Sequence, residues 1–259
     1  MSNKKINHAL IMAAGRGIRL IPLSNRIPKA MAPLSGSTLI NRGINRIKKT
    51  IPNIHITVGY KGAMLASHVI EQSVNSVFNT EGKGNAWWLF NTLISNINEP
   101  ILVLTCDNVV KFSHNIQLKE YYRLGNPACM IIPTYYNPYV EADFVFFDKK
   151  QKVQKINRKN QSKYICSGIQ ILNPKKINEI LKPLNNFRLV WSELIKKKQV
   201  YCTFRCLIWC TNSGCEFSKN IDEICIYALL VLVLRCCYSL SSFYFDRKNI
   251  SMGISSKYQ

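Results

Sequence analysis

Residues 6–33 read INHALIMAAGRGIRLIPLSNRIPKAMAP, and they contain the most informative pattern of the chain. Its apolar start, residues 6–14, has the composition of a buried strand. A loop rich in Gly, Pro, Arg and Ser follows over residues 15–36. The change from apolar to Gly-rich sequence predicts a buried first strand that ends in a long ordered loop.

The loop carries the residue types that bind polyphosphates. Gly15 and Gly17 let backbone N–H groups approach phosphate oxygens closely. Arg19 and Lys29 are two spaced cations that can neutralise a triphosphate, and Pro28 stiffens the segment that carries Lys29. The loop is not a P-loop, because no Gly-Lys-Ser/Thr follows, and it lacks the third glycine of the dinucleotide fingerprint.

Helix and strand patterns alternate along the following hundred residues. Such alternation predicts right-handed βαβ units, in which ligands bind beyond the carboxyl ends of the strands. We therefore expect an α/β fold, a three-layer α/β/α sandwich with a Rossmann-like, mainly parallel mixed central sheet. The predicted strands span residues 6–14, 54–58, 74–78, 100–105, 129–133, 144–148, 153–156 and 164–172, and the predicted helices 38–49, 62–71, 86–97 and 187–197.

Composition divides the chain of 259 residues near residue 200. Residues 1–200 hold 29 Lys+Arg and 10 Asp+Glu, a net +19 of the total +21, whereas residues 201–259 hold seven of the ten cysteines. The N-terminus lacks a secretory pattern and the longest apolar run, residues 224–234, is shorter than the roughly 20 residues of a membrane span. We therefore expect a cytoplasmic protein without a membrane span whose cysteines are reduced.

The spaced string G-x-G-x-R-x-x-P-x-S-x-x-x-P-K-x-x-x-P at residues 15–33 resembles the sugar-phosphate nucleotidylyltransferases, which have an NTP-transferase fold. Every fixed position matches that family except Ser24, which replaces a threonine. The resemblance covers about residues 6–200. It includes an apolar strand that ends at Asp107, a loop at residues 80–86, and the strand segment that contains Gly168.

The resemblance implies a role for each matching residue. Lys29 and Arg19 would be catalytic, with Lys29 at the α-phosphate and Arg19 on the β/γ side. Asp107 would bind Mg²⁺, and Gly168 would line the acceptor pocket. The nucleotide-binding residues would be Ala13, Ala14, Gly15, Gly17, Gly82, Gly84 and Asn85.

The implied reaction moves a nucleoside monophosphate from an NTP onto a sugar 1-phosphate or a similar phosphate monoester, with release of pyrophosphate. The Ala13-Ala14 pair is a hint towards a pyrimidine nucleotide. The resemblance also implies a role in supplying precursors of cell-surface polysaccharides. The expected partners are thus an NTP, a phosphorylated small molecule and Mg²⁺, and no specific nucleic acid.

The pattern breaks near residue 202. Trp209 resembles the family's late tryptophan, but Asn212 or Ser213 lies where a second acidic metal ligand is usual. We expect a catalytic domain over residues 1–200 and an atypical Cys-rich segment over residues 201–259. That segment is either an extension with its own function or the product of sequence decay or a frame shift. The lost acid favours the second explanation.

Two other functions stay open at the level of sequence. The missing acid is compatible with a catalytically impaired relative that still binds nucleotide. The charge of +21 is compatible with a basic nucleic-acid-binding protein, although no nucleic-acid-binding motif accompanies it. A zinc site made by Cys202, Cys206, Cys210 and Cys215 is disfavoured, because their spacing differs from paired C-x₂-C ligands.

Overall fold

A computed structural model describes residues 5–107, 113–136, 138 and 141–203. Its main sheet has the strand order β11-β7-β10-β6-β1-β4-β5, with β8 paired to β10 and β9 to β8. These strands are β1 His8–Met12, β4 Asn53–Val58, β5 Ser76–Asn79, β6 Ile101–Thr105, β7 Cys129–Tyr135, β8 Phe144–Phe147, β9 Val153–Asn157, β10 Tyr164–Leu172 and β11 Val200–Cys202. A small separate hairpin joins β2, Pro33–Leu34, to β3, Ser37–Thr38.

The sheet is mixed, and along its main path six of the seven strands run in one direction while β10 runs in the other. Strand β1 lies between β4 and β6 and is parallel to both, and β5 lies parallel beside β4. Strand β10 is antiparallel to β6, β7 and β8. The predicted mainly parallel mixed sheet is therefore confirmed.

Helices cover both faces of the sheet. The α-helices are α1 Leu23–Arg26, α2 Leu39–Ile47, α3 Gly62–Ile70, α4 Trp87–Asn91, α5 His114–Arg123, α6 Pro174–Ile180 and α7 Phe187–Lys196. Short 3-10 turns occur at Ile18–Leu20, Lys29–Met31 and Leu93–Asn96. Part of the predicted loop over residues 15–36 is thus helical in short pieces.

Alternation along β1 assigns the helices to two layers. Ala9 and Ile11 are fully buried on one face, against α2, α3 and α5. Leu10 is fully buried on the other face, against α4, α6 and α7. Because successive strand side chains point to opposite faces, one strand contributes to two cores. The predicted three-layer α/β/α sandwich is confirmed.

The predicted helix over residues 86–97 is wrong in its second half. It ends at Asn91, because Thr92 adopts an extended backbone with φ −128° and ψ 172°. The Thr92 hydroxyl donates to the Trp88 carbonyl, and the Thr92 side chain then caps the 3-10 turn Leu93–Asn96. A hydroxyl that competes for backbone partners is a known cause of such breaks.

Besides the short α1 inside the loop, two helices, α5 and α6, are absent from the sequence expectations. Helix α5 begins after Ser113, whose side chain accepts from Ile116 N, and α6 begins after the Asn173 cap with Pro174 in its first turn. Both starts follow common capping rules. Among the described residues no helix has the length and apolarity that a membrane crossing requires.

The parallel strands bring their carboxyl ends to one side of the sheet, here called the carboxyl edge, where β1, β4 and β6 end. Cys106 N, just past β6, donates to Met12 O at 3.0 Å, and Ala13 N donates to Thr57 O at 3.2 Å. The segments that leave these three strands are therefore neighbours. One of these segments is the loop at residues 15–36, which follows β1 and is called the phosphate loop below after its predicted role. Another carries Asp107, which follows β6.

Candidate nucleotide and metal site

The start of the phosphate loop is fixed against the end of β4. Ala13 N also lies 3.2 Å from the Thr57 hydroxyl, and Tyr60 N donates to Ala14 O at 3.1 Å. A Cβ atom on Gly59 would lie 2.8 Å from Ala14 O, so this approach requires glycine. The backbone of Ala13 and Ala14 is thereby held in place as it leaves the sheet.

The phosphate loop folds back so that its two ends touch. Gly17 has a φ of +68°, a conformation that suits glycine, and a Cβ there would lie 2.6 Å from Lys29 Cβ. The absence of a side chain at Gly17 is what lets Lys29 lie against the glycine turn. Gly15 has open space around its Cα, with no atom within 4 Å of a Cβ built on it.

Lys29 forms an ion pair with Asp107 at the carboxyl edge. The two side chains are 25% and 34% exposed, so the pair is partly shielded from water. Burial raises the pKa of Asp107, but the charge of Lys29 and hydrogen bonds from Lys29 and Thr105 outweigh it and hold that pKa below its ordinary value. Asp107 is therefore a carboxylate at neutral pH.

Cys106, beside Asp107, is a buried thiol and not a reactive one. Burial, and then the charge of Asp107, raise the pKa of Cys106 to about 12. The thiolate is the nucleophilic and metal-binding form of cysteine. At neutral pH Cys106 therefore contributes a neutral, 8% exposed side chain to the core.

Arg19 lies in the 3-10 turn after Gly17 and pairs with Glu141, a residue 122 positions away. Both side chains are well exposed, at 71% and 66%. The pair connects the phosphate loop to the segment that precedes β8. The sequence reading had no signal for Glu141, because nothing local marks it as a partner of Arg19.

The loop at residues 80–86 is held against the segment that precedes α7. Gly82 has a φ of +69°, and a Cβ on Gly84 would overlap the carbonyl oxygen of Asn185. The Asn85 side-chain oxygen accepts a hydrogen bond from Phe187 N at 2.9 Å. The loop is thus anchored at two points to residues about a hundred positions away.

The adjacent tryptophans divide between the core and the surface. Trp88 is 1% exposed, whereas Trp87 is half-buried with the Lys83 ammonium 5.8 Å from its ring centre. Opposite orientations of two neighbouring aromatic residues leave Trp87 as the one with an accessible face.

Gly168 lies beside the end of β6. Its φ is +80°, and a Cβ there would lie 2.6 Å from the Thr105 hydroxyl oxygen. Strand β10 is irregular between Cys166 and Ile169, where its pairing with β7 shifts register. Since Thr105 also hydrogen-bonds Asp107, the structure places Gly168 close to the Lys29–Asp107 pair.

Asp107 is the kind of donor that an oxygen-preferring divalent ion binds. Mg²⁺ prefers oxygen ligands and is commonly bound through one or two carboxylates together with substrate phosphates. Asp107 supplies one ionised carboxylate at the carboxyl edge. Within the described part of the chain, no group of three or more His, Cys, Asp or Glu side chains is arranged to enclose a metal ion. Asn212, Ser213 and the cysteines at 206, 210 and 215 lie outside the described residues.

Comparisons with known proteins agree with this architecture. A protein-family model described as nucleotidyl transferase matches residues 8–209. The mannose-1-phosphate guanyltransferase beta-A of Xenopus laevis is 22% identical over 206 residues, covering 74% of this chain and 57% of that protein. The bifunctional protein GlmU of Methanococcus aeolicus is 42% identical over 60 residues, covering 23% of this chain and 15% of that protein. The chain thus spans less than two thirds of either relative.

A solved structure shares the fold. The inositol-1-phosphate CTP transferase from T. maritima matches with a TM-score of 0.64 and 15% identity, covering 77% of this chain and 86% of that one. At this identity the match shows a common fold.

Proposed function

The chain belongs to the nucleotidyl transferase family, and on that basis we propose that it transfers a nucleoside monophosphate from an NTP to a sugar 1-phosphate or a similar phosphate monoester. Pyrophosphate is the second product. The proposed catalytic domain is residues 1–200, with residues 201–259 as a separate C-terminal segment. The proposed setting is the cytoplasmic supply of precursors for cell-surface polysaccharides.

One observation carries this proposal: Lys29 lies against the Gly17 turn and at the same time pairs with Asp107. This contact brings a glycine turn, a cation and a carboxylate together at the carboxyl edge of the sheet. Open α/β sheets bind ligands at this edge. A triphosphate needs backbone donors and a cation, and a bound divalent ion needs a carboxylate.

In the proposed reaction an acceptor phosphate oxygen attacks the α-phosphorus of the NTP. The new P–O bond forms while the bond from the α-phosphorus to the bridging oxygen of pyrophosphate breaks. The acceptor phosphate is already an anion, so no protein nucleophile and no proton transfer are required. Catalysis then consists of positioning the two substrates and stabilising negative charge.

The phosphate loop performs both tasks. The backbone at Gly15 and Gly17 gives the triphosphate room to approach closely. Lys29 stabilises the charge that develops at the α-phosphate, and Arg19 binds the β/γ side after it exchanges Glu141 for phosphate oxygens. Asp107 would hold Mg²⁺, which when bound neutralises phosphate charge and orients both substrates.

The two remaining groups of residues form the proposed base and acceptor sides. Gly82, Gly84 and Asn85 present the loop that recognises the base, together with Ala13 and Ala14, whose pair favours a pyrimidine. Gly168 lines the acceptor side. The anchoring of Gly84 to Asn185 and the contact of Gly168 with Thr105 support rigid walls on these two sides.

The test is a pyrophosphate-release screen of four NTPs against a panel of phosphate monoesters, with and without Mg²⁺. We expect turnover with CTP or UTP that depends on Mg²⁺. Asp107→Asn should raise the Mg²⁺ concentration needed for half-maximal rate, because it removes the anchoring negative charge. Turnover that is equally fast without divalent metal, or absent with every pair, contradicts the proposal.

Asn212 and Ser213 in place of an acid favour a second candidate, a relative that binds nucleotide but turns over slowly. Equilibrium titration with CTP and UTP distinguishes the two candidates. Micromolar nucleotide binding without Mg²⁺-dependent pyrophosphate release identifies the impaired relative.

A further inference from the structure

Two arginines converge on one carboxylate near the acceptor side. Asp143 Oδ1 lies 3.1 Å from Arg158 Nε and 3.2 Å from Arg188 Nη2. Asp143 is 21% exposed, whereas the two arginine side chains are 53% and 57% exposed. Two positive charges against one negative charge leave this cluster with a net charge of +1 that faces solvent.

The backbone places the cluster beside the proposed acceptor strand. Cys166 N, two residues before Gly168, donates to Asp143 O at 2.9 Å. Arg188 follows Phe187, which is hydrogen-bonded to Asn85 in the loop at residues 80–86, here called the base loop. The cluster therefore lies between the base loop and the strand that carries Gly168.

Hydrogen-bonding capacity remains at the cluster. A guanidinium has five N–H donors in a planar fork, and the contact of Arg158 with Asp143 is made through Nε. Next to it, Asn157 Nδ2 is buried and has no hydrogen-bond partner among the described residues. Buried donors are normally satisfied, so this one is open to an acceptor atom that a water molecule or a ligand could supply.

The sequence around Arg158 is also positively charged. Residues 149–163 contain seven Lys or Arg and no acid, so Arg158 lies in a positively charged stretch of the sequence. A carboxylate suits the hydroxyl groups of a neutral sugar, because it accepts their hydrogen bonds. A guanidinium accepts none and instead matches the oxygens of another anion.

We infer that the acceptor carries a second anionic group, a carboxylate or a further phosphate, which binds Arg158 and Arg188 while its phosphate monoester reacts. This inference rests on the proposed function and narrows its substrate class. A neutral acceptor leaves the two guanidiniums without the second anion, and a cationic acceptor such as phosphocholine is repelled.

The experiment compares three acceptors with the full chain: glucuronic acid 1-phosphate, glucose 1-phosphate and phosphocholine. We expect kcat/KM to favour the anionic acceptor over glucose 1-phosphate about tenfold, and phosphocholine to be the poorest. Arg158→Gln and Arg188→Gln should each reduce this preference, mainly through KM. Lys196→Gln, which removes an exposed cation from the other end of α7, is the matched control and should keep it.

Calorimetric titration of the same acceptors into the protein separates failure of this inference from failure of the proposed function. Tighter binding of glucuronic acid 1-phosphate that Arg158→Gln abolishes supports the inference even if no pyrophosphate is released. Equal affinity for the neutral and the anionic acceptor, or a preference that both variants retain, overturns it. Thermal melting of each variant verifies that the fold is intact.

Discussion

The polar groups at the two ends of the parallel strands differ in the backbone that lies beside them. At the carboxyl edge, Lys29 and Asp107 form an ion pair whose side chains remain a quarter to a third exposed. Nearer the amino ends, a row of side-chain contacts crosses β1, β4, β5 and the segment before β6. Its members are His8, His55, Ser76 and Glu99.

The row near the amino ends satisfies its own members. His8 Nδ1 lies 2.9 Å from His55 Nε2, His55 Nδ1 lies 2.7 Å from the Ser76 hydroxyl, and Glu99 Oε1 lies 3.2 Å from His8 Nε2. A single direction of donation, from Ser76 through both rings to Glu99, gives each of these contacts one donor and one acceptor. Burial, and then the charge of His8, lower the pKa of His55 to about 4.

The neighbouring backbone separates polar groups with a structural role from polar groups that can bind a ligand. The groups near the amino ends contact one another in a continuous row, which contributes to stability. Exposure does not separate the two ends, since His8 and Glu99 are 22% and 36% exposed, but the Lys29–Asp107 pair lies in addition against the Gly17 turn. Substitutions at the carboxyl edge should therefore change activity, and substitutions near the amino ends should change stability.

The largest expected effect tests the carboxyl edge directly. Lys29→Ala should lower kcat about 10³-fold, because it removes the cation at the α-phosphate, while the folded structure is retained. Pyrophosphate release with CTP or UTP and an acceptor mixture measures the loss, and circular dichroism verifies the fold. Lys49→Ala, at an exposed lysine after α2, is the control. Near-normal turnover of Lys29→Ala would contradict the proposed catalytic role of Lys29.

Gly17→Ala should lower kcat/KM about 100-fold. Its Cβ would push Lys29 away, and misplacement of a catalytic group by about 1 Å costs rate on this scale. Gly36→Ala is a matched control, because Gly36 also has a positive φ, +76°, but no atom lies within 4 Å of its added Cβ. Equal loss of activity in both variants would attribute the effect to backbone strain instead of to Lys29.

A pH titration of stability tests the end with the histidines. In the unfolded chain His55 binds its proton near pH 6.5, but in the folded protein only near pH 4. The contribution of His55 to stability should therefore be complete above pH 6.5 and fall by about 3 kcal/mol as the pH decreases to 4. Urea unfolding across this range measures the loss.

His55→Gln should reduce the pH dependence of stability, because it removes a group whose pKa is lowered on folding. His114, whose pKa burial also lowers, keeps its own part of that dependence. His68→Gln, on α3 and outside the row of contacts, should keep the wild-type slope. If the slope survives in His55→Gln, another group causes the acid sensitivity.

The smallest expected effect concerns the exposed Arg19–Glu141 pair. Glu141→Gln should change the free energy of unfolding by less than about 1 kcal/mol, since exposed ion pairs contribute little. The KM for NTP should fall about twofold at low salt, because Arg19 no longer exchanges Glu141 for phosphate. Glu193→Gln, which breaks the exposed Lys196–Glu193 pair, should leave that KM unchanged. An increase in KM on Glu141→Gln would mean that Glu141 positions Arg19 for binding.

Much of the fold was predictable, because it depends on local periodicity. The strands at 54–58, 100–105 and 164–172 and the helix after Thr38 match the structure within a few residues. The errors occur where local chemistry overrides an apolar pattern, as at Thr92, or where the pattern is weak, as in α5 and α6. The structure brings the predicted Lys29 and Asp107 together, whereas their catalytic and metal-binding roles stay proposals.

The α/β alternation and the spaced glycines, prolines and cations of residues 15–33 can be read from the sequence alone, because both are patterns of neighbouring residues. The tertiary structure alone decided that Lys29 meets Asp107 across 78 positions, that Arg19 meets Glu141 across 122, and that Arg158 and Arg188 share Asp143. Contacts over such separations depend on strand order and register. The side-chain period reveals which face of a strand is buried, but not which strand lies beside it.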